Sequence, residues 1–403
     1  MKKYFLAILK EPYRLFFPLG IILGILGVSP WFLYAFGWTT HYSGFYHSSM
    51  MILNYLPCFI IGFLLTAMPR FSGTSTTRSL EFFYFLCTIL GITILLKYQQ
   101  WILAEICYMA WLLGLIRFAL VRLGKKKGKE IQNVIKTPRE IIWIPIGAFQ
   151  GIAGTGLLIL GQLKILSFQA ILIGKPMMEQ GLLLSVVLGI GGFLIPRLMW
   201  TYQQKGTEGT IYFHICCGIL LFLSFCFEGF RWDVLASGLR AFVIGIVFLK
   251  TGVFPGPPKV KDFYVRLAWI SSWMVMLGFM LAAFFPIVRV VFIHIAFIGG
   301  FSLMIFTVGM MVSMTHAGEI ERLRRPLWIL WIIAGTLGLA LLKRIGVIFL
   351  PDAYFKFLGL AAFFWITAAL SWMIFIFPRL LKFPAEDEFE QMHKEAKKTG
   401  GDP

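Results

Sequence analysis

The chain of 403 residues is 59% hydrophobic and only 14% charged, with a mean hydropathy of +0.81. Soluble proteins carry about 25% charged residues; here apolar runs long enough to cross a bilayer recur throughout, which excludes a water-soluble globular fold. The net charge of +18 lies in short loops between those runs, a pattern of membrane topology rather than of nucleic-acid binding, so the expected partner is a lipid bilayer and no nucleic acid.

Twelve apolar segments are predicted, at roughly 16–37, 48–69, 79–97, 101–123, 140–163, 180–200, 211–227, 233–254, 263–285, 289–313, 326–349 and 356–378. The first, from Phe16 to Trp38, is too long for a signal-peptide core and lacks a clear small-residue cleavage site, so it is read as a retained helix. The fold class is therefore all-α, a bundle of about 12 transmembrane helices over residues 1–380. A polar tail, "PAEDEFEQMHKEAKKTGGDP", fills most of 381–403. It is expected to be a short frayed helix and then disorder. Arg122 to Arg139 is the longest polar connector. Lysine and arginine fall mostly in one alternate set of loops, 27 against 8, which predicts that both termini are cytoplasmic.

The six cysteines, Cys58, Cys87, Cys107, Cys216, Cys217 and Cys226, lie in or at the ends of apolar runs and form no C-x-x-C pair. That excludes a zinc ribbon and a covalent c-type haem site. The histidines are more informative. His41 and His47 precede or open the second helix, and His294 lies in the first turns of the tenth; all three are on the outer side. His214 opens the seventh helix and His316 closes the tenth, both on the inner side. His393 is in the tail.

His294 and His316 are 22 residues apart, about 33 Å along a helix, so one metal ion cannot bind both. An ideal helix turns them to within about 40° of each other, with Ile298, Phe301, Ile305, Val308 and Val312 between them as an apolar lane. Two sites per helix are expected. The outer is His47 with His294, with His41 as a further candidate; the inner is His316, with His214 as its candidate partner. Neutral imidazoles ligate haem iron, copper or zinc; the ordinary alternative is interhelical hydrogen bonding. Arg240, about two turns into the eighth helix, is costly without a partner. An ion pair, for example with Asp233 or Glu228, or snorkelling toward the interface would answer that cost. For Arg117 in the fourth helix, snorkelling suffices.

"YHSSMMILNYLPCFIIGFLLTAMPRFSG", residues 46–73, resembles the signature of the NnrS family. The family pattern runs W-H-x-H-E-M, an apolar stretch, then G-F-L-L-T-A-x-P-x-W-T-G. His47 stands on its first histidine, and Gly62, Phe63, Leu64, Leu65, Thr66, Ala67, Pro69 and Gly73 match. In the tenth segment His294, Met304, Ile305, Met311, His316 and Gly318 follow a second family pattern. "GGFLIPR" at 191–197 resembles a third. Ser49 and Met50 replace the second histidine and the glutamate, while Ser313 and Glu319 replace two arginines.

The resemblance implies a bacterial inner-membrane protein that contains haem and copper and responds to, binds or detoxifies nitric oxide. Its implied site residues here are His47, His294, His316, His214 and, as a partner for a haem propionate, Arg240, with b-type haem as cofactor. Copper is the weaker expectation, because Ser49 and Met50 remove ligands; Met50 or Met51 would have to supply a thioether. A reductase would need an electron donor, which the sequence leaves unidentified, and proton-delivering carboxylates, which are few. Glu105 is placed near an outer end, and Glu81, Glu179 and Glu228 at boundaries. Enzyme activity stays open. The competing class is a secondary transporter of twelve helices with structural histidines.

Overall fold

The computed structural model describes residues 2–72, 74–123, 138–199 and 210–382. The connector at 124–137 and the polar tail with His393 lie outside the described residues. Twelve apolar spans run in order: Tyr13–Ala35, Gly44–Arg70, Ser79–Lys97, Trp101–Arg122, Arg139–Gln162, Phe168–Leu198, Ile211–Gly229, Asp233–Thr251, Phe263–Phe284, Pro286–His316, Trp328–Gly346 and Pro351–Leu380. A short helix, Lys2–Lys10, precedes the first. Every described element is helical, as lipid requires of a chain whose backbone polar groups find no water.

Eleven of the predicted segments agree with these spans to within five residues at each end. The sixth is corrected: predicted to begin near 180, it begins at Phe168. "GKPMMEQG" reads as a loop because it holds Lys175, Pro176 and Glu179, yet it is continuous helix. This places both charges inside the span.

The second, sixth and tenth spans are the most buried. Their most apolar windows are 83, 78 and 61% buried, against 50% or less for the other nine. Each of the three is interrupted by π-helix, at Met51–Tyr55, Val187–Gly191 and Ile295–Ser302. Such bulges are uncommon and concentrate at functional sites. The one in the tenth span also breaks the regular 100° step, so the common face expected for His294 and His316 no longer follows from counting residues.

Small residues let neighbouring spans approach. A Cβ on Gly154 of the fifth span would sit 2.5 Å from the backbone nitrogen of Met178 in the sixth. Aromatic rings fill the contact between the first, second, tenth and twelfth spans. Phe17 stacks on Phe59 at 4.9 Å and Phe306 on Trp372 at 6.0 Å, and the Trp372 indole donates to the Phe306 carbonyl at 2.8 Å. Arg14 Nη1 donates to the carbonyls of Leu380 and Lys382 at 2.6 and 2.9 Å. The start of the first span and the end of the twelfth therefore share one face, as twelve crossings require.

Candidate ligand cavity between the second and tenth spans

The second span begins at Gly44, where the Ser43 hydroxyl accepts from the Tyr46 backbone N–H at 3.1 Å and caps the helix. That cap supplies an orphan N–H with an acceptor and fixes the first turn, which carries His47. The His47 Nδ1 lies 2.9 Å from the Gly27 carbonyl of the first span. A carbonyl only accepts, so Nδ1 carries the proton and the Nε2 lone pair is left free. Trp31 packs against the ring edge-on at 5.9 Å. Gly27 permits this approach: a Cβ there would meet the Met50 Cβ at 2.8 Å.

His294 is the last residue of an α-helical turn, Arg289–His294, and the π-helix starts at the next position. Its Nδ1 donates to the Val290 carbonyl at 2.6 Å, so its Nε2 is likewise unprotonated. Both histidines are half-buried and border one cavity of about 540 Å³, a volume in the range of small-molecule and cofactor sites. Ile52, Leu56, Phe297, Ile298, Leu358 and Trp365 supply apolar wall; Met51, Tyr55 and Ser302 also reach it. The Trp365 indole donates to Ser302 Oγ at 3.1 Å, which fixes one wall.

Charges are gathered at the cavity too. Lys175, Arg231, Arg289 and Arg344 line it, with Glu179 and Glu228. Arg289 is taken by Glu228 at 2.6 Å and by Asp233 at 2.9 Å. Glu179 lies beside Ser48 and Lys175, well inside the sixth span rather than at its boundary. These side chains come from the beginnings of the second, sixth, tenth and twelfth spans and the ends of the seventh and eleventh. The cavity therefore belongs to the face opposite the described chain ends.

The structure thus brings His47 and His294 to one cavity and separates the other expected site residues from it. Arg240 is fully buried but does not border the cavity. It pairs with Glu228 at 2.5 Å, and donates to Gln180 Oε1 and Ser224 Oγ at 3.0 Å each. Of the partners weighed for it, Glu228 is the one found. Arg117 is exposed on its span. His316 meets the Glu11 carboxylate through Nδ1 at 2.5 Å, and its Nε2 lies 2.6 Å from Arg70 Nη1. His214 accepts from the Trp143 indole at 3.0 Å. The expected inner pair of His316 with His214 is not formed, because each ring is held by a different partner. His41 is exposed in the preceding loop, beside Thr39.

Among the described residues no three or more histidine, cysteine or acidic side chains converge as a metal site. Ser49 and Met50 point into packing; Met50 Sδ accepts from Asn54 Nδ2 at 3.4 Å. Met51, not Met50, borders the cavity. The donor set fits a metal that comes with its own equatorial ligands and takes one or two imidazoles. Among the described residues it does not offer a bare ion three or more histidine, cysteine or carboxylate donors. Lys175, Glu179 and Arg344 were not singled out as site residues from the sequence. A signal was present for the cations: only eight basic residues fall in the cation-poor loops, and four of them line this cavity.

Fold and site together define a multi-pass helical membrane protein built around a ligand-sized cavity flanked by two imidazoles. More particularly, the chain belongs to the NnrS protein family, whose model matches residues 7–383. No curated protein and no solved structure matches it.

Proposed function

We propose that this protein holds a b-type haem in the cavity between the second and tenth spans and uses it to bind nitric oxide or a similar small gas, in nitric oxide response or detoxification. One observation carries the reading. Two imidazoles from different spans face one apolar cavity, each with Nδ1 tied to a backbone carbonyl and Nε2 free. A hydrogen bond at Nδ1 is what sets the tautomer and orientation of an imidazole that ligates through Nε2. His47 and His294 are the candidate ligands; Ile52, Phe297 and Trp365 give the apolar contact a macrocycle requires, and the cations at the cavity suit its carboxylates. When bound, the haem supplies an iron that coordinates a diatomic gas. Nitric oxide is neutral and soluble in lipid, so it reaches such a site without a polar pore.

Copper has a thinner basis. Met51 is the thioether at the cavity, and with His47 and His294 it would make a soft set for Cu(I). In this reading the chain ends face the cytoplasm across a bacterial inner membrane and the cavity lies toward the outer leaflet; the excess of lysine and arginine in the loops on the chain-end side supports that orientation.

The test is haem and metal content of the purified wild type beside His47→Ala, His294→Ala and His214→Ala. Haem is expected in the wild type and in His214→Ala, and at less than about a tenth of that level in the two cavity variants, since loss of an axial ligand costs at least tenfold in affinity. A Soret band that moves with nitric oxide supports gas binding. Full haem content in both cavity variants rules the assignment out. Copper without haem transfers the site to the Met51 reading. A colourless protein that accumulates solute in liposomes supports the transporter instead.

A further inference from the structure

Arg344 is the anomaly of this cavity. It lies in the last turn of the eleventh span, is 8% exposed, and lines the cavity. Its Nη1 is sealed from solvent and donates to nothing. Among the described residues no carboxylate pairs with it, whereas Arg240 and Arg289 share Glu228 and Arg289 also takes Asp233. Both imidazoles, His47 and His294, lie within its electrostatic reach. A buried guanidinium at membrane depth without an anion is expensive, and proteins that keep one use it.

We propose that Arg344 is the seat for a carboxylate carried by the cavity's occupant, an amphiphile whose apolar body lies against Ile52, Phe297 and Trp365. The inference rests on the haem reading and deepens it: Arg344, not the fully engaged Arg240, takes a haem propionate. Planar guanidinium matches a carboxylate with two parallel N–H···O bonds, which a lysine ammonium does not reproduce. The other cations at the cavity are less suited. Arg289 is already neutralised twice, Arg231 is exposed, and Lys175 lies beside Glu179.

The test uses the full chain in nanodiscs, with binding to empty nanodiscs subtracted. Haem, metal-free protoporphyrin and the dimethyl ester of protoporphyrin are each titrated into wild type, Arg344→Gln and Arg344→Lys. The metal-free pair needs no imidazole, so it reads the carboxylate alone. Arg344→Gln is expected to weaken the diacid by at least about tenfold, as loss of one partner of a buried charge pair does. It is expected to leave the ester within about twofold of wild type, because the ester carries no charge to lose. Arg344→Lys should recover part of the diacid affinity.

Equal loss for diacid and ester means that Arg344 only shapes the fold, and overturns the proposal. No loss for either also overturns it, including the case in which the guanidinium serves a free oxyanion. If wild type binds haem but Arg344→Gln shows no diacid-specific defect, the seat is wrong and the haem site stands. If wild type binds no porphyrin, both fall.

Discussion

His294 and His316 sit at opposite ends of one span and show two uses of the same side chain. At the cavity end, His294 spends one nitrogen on a backbone carbonyl and keeps the other at the cavity. At the opposite end, His316 has both nitrogens engaged, one by Glu11 and one by Arg70, while Tyr13 packs on its ring at 5.2 Å. Glu11 also takes Arg14 at 2.6 Å and Arg70 at 3.0 Å, so this single carboxylate joins the first, second and tenth spans. Those spans all border the cavity farther out. A polar clamp closes the bundle at one end, and the π-helices after His47 and His294 accompany a cavity at the other. Position along the helix did not decide which histidine keeps a free nitrogen; the company of acceptors and cations did.

The largest effect that separates the two ends is expected at Glu11. Glu11→Ala removes the carboxylate shared by Arg70 and by Arg14, whose side chain is 2% exposed. Breaking a buried pair by removing one partner costs about 3–5 kcal/mol. Thermal unfolding in detergent should therefore shift sharply downward, while any haem still bound by folded protein keeps its spectrum. A normal melting curve with a changed haem spectrum would reverse the two assignments.

The same carboxylate makes stability depend on acid. Burial pushes the Glu11 carboxyl up, but the hydrogen bond and charge of His316 and the Arg14 guanidinium outweigh it and hold the group at about 2. A depressed native value contributes stability that is present above the ordinary carboxylate range and is lost as pH falls through that range toward the native value. The window is thus about pH 4.5 down to about 2, and the contribution is ~3 kcal/mol. Melting temperature should fall across that window in wild type and stay flatter in Glu11→Gln. Parallel curves would show that other carboxylates carry the acid transition.

A middle-sized effect is expected at His214, which belongs to neither end's machinery. His214→Leu removes the acceptor of a buried indole N–H, an expense of about 1–3 kcal/mol. His214→Gln, which keeps a carbonyl acceptor, should recover much of it. Haem content is expected to be unchanged in both; loss of haem in His214→Gln would return this residue to the ligand set.

Most of the fold was legible because lipid imposes a simple rule, that each span be long and apolar, and eleven of twelve segments obeyed it. The sixth did not, since Lys175 and Glu179 serve a cavity rather than the lipid and so look like a loop. The outer histidine pair was legible from depth alone. The inner pair failed because depth says nothing of neighbours: Glu11 lies before the first span, and no count of residues brings it to His316. Arg344 was passed over as a loop cation at the end of a span. The π-helices were illegible, for they arise from tertiary packing and carry no periodic signature.

The smallest effect expected is also the finest probe of the cavity end. Ser43 caps the turn that carries His47. Ser43→Ala leaves the Tyr46 N–H without its acceptor and should cost ~1 kcal/mol of stability, a shift of only a few degrees. If the cap also sets the angle at which His47 meets the cavity, haem dissociation should quicken by more than this cost predicts. Ser43→Asp restores an acceptor at the same position and should restore both quantities together. Haem loss that persists in Ser43→Asp would show that the turn matters for some reason other than its cap. Haem retention equal to wild type in Ser43→Ala would show that the Gly27 carbonyl alone aims the ring.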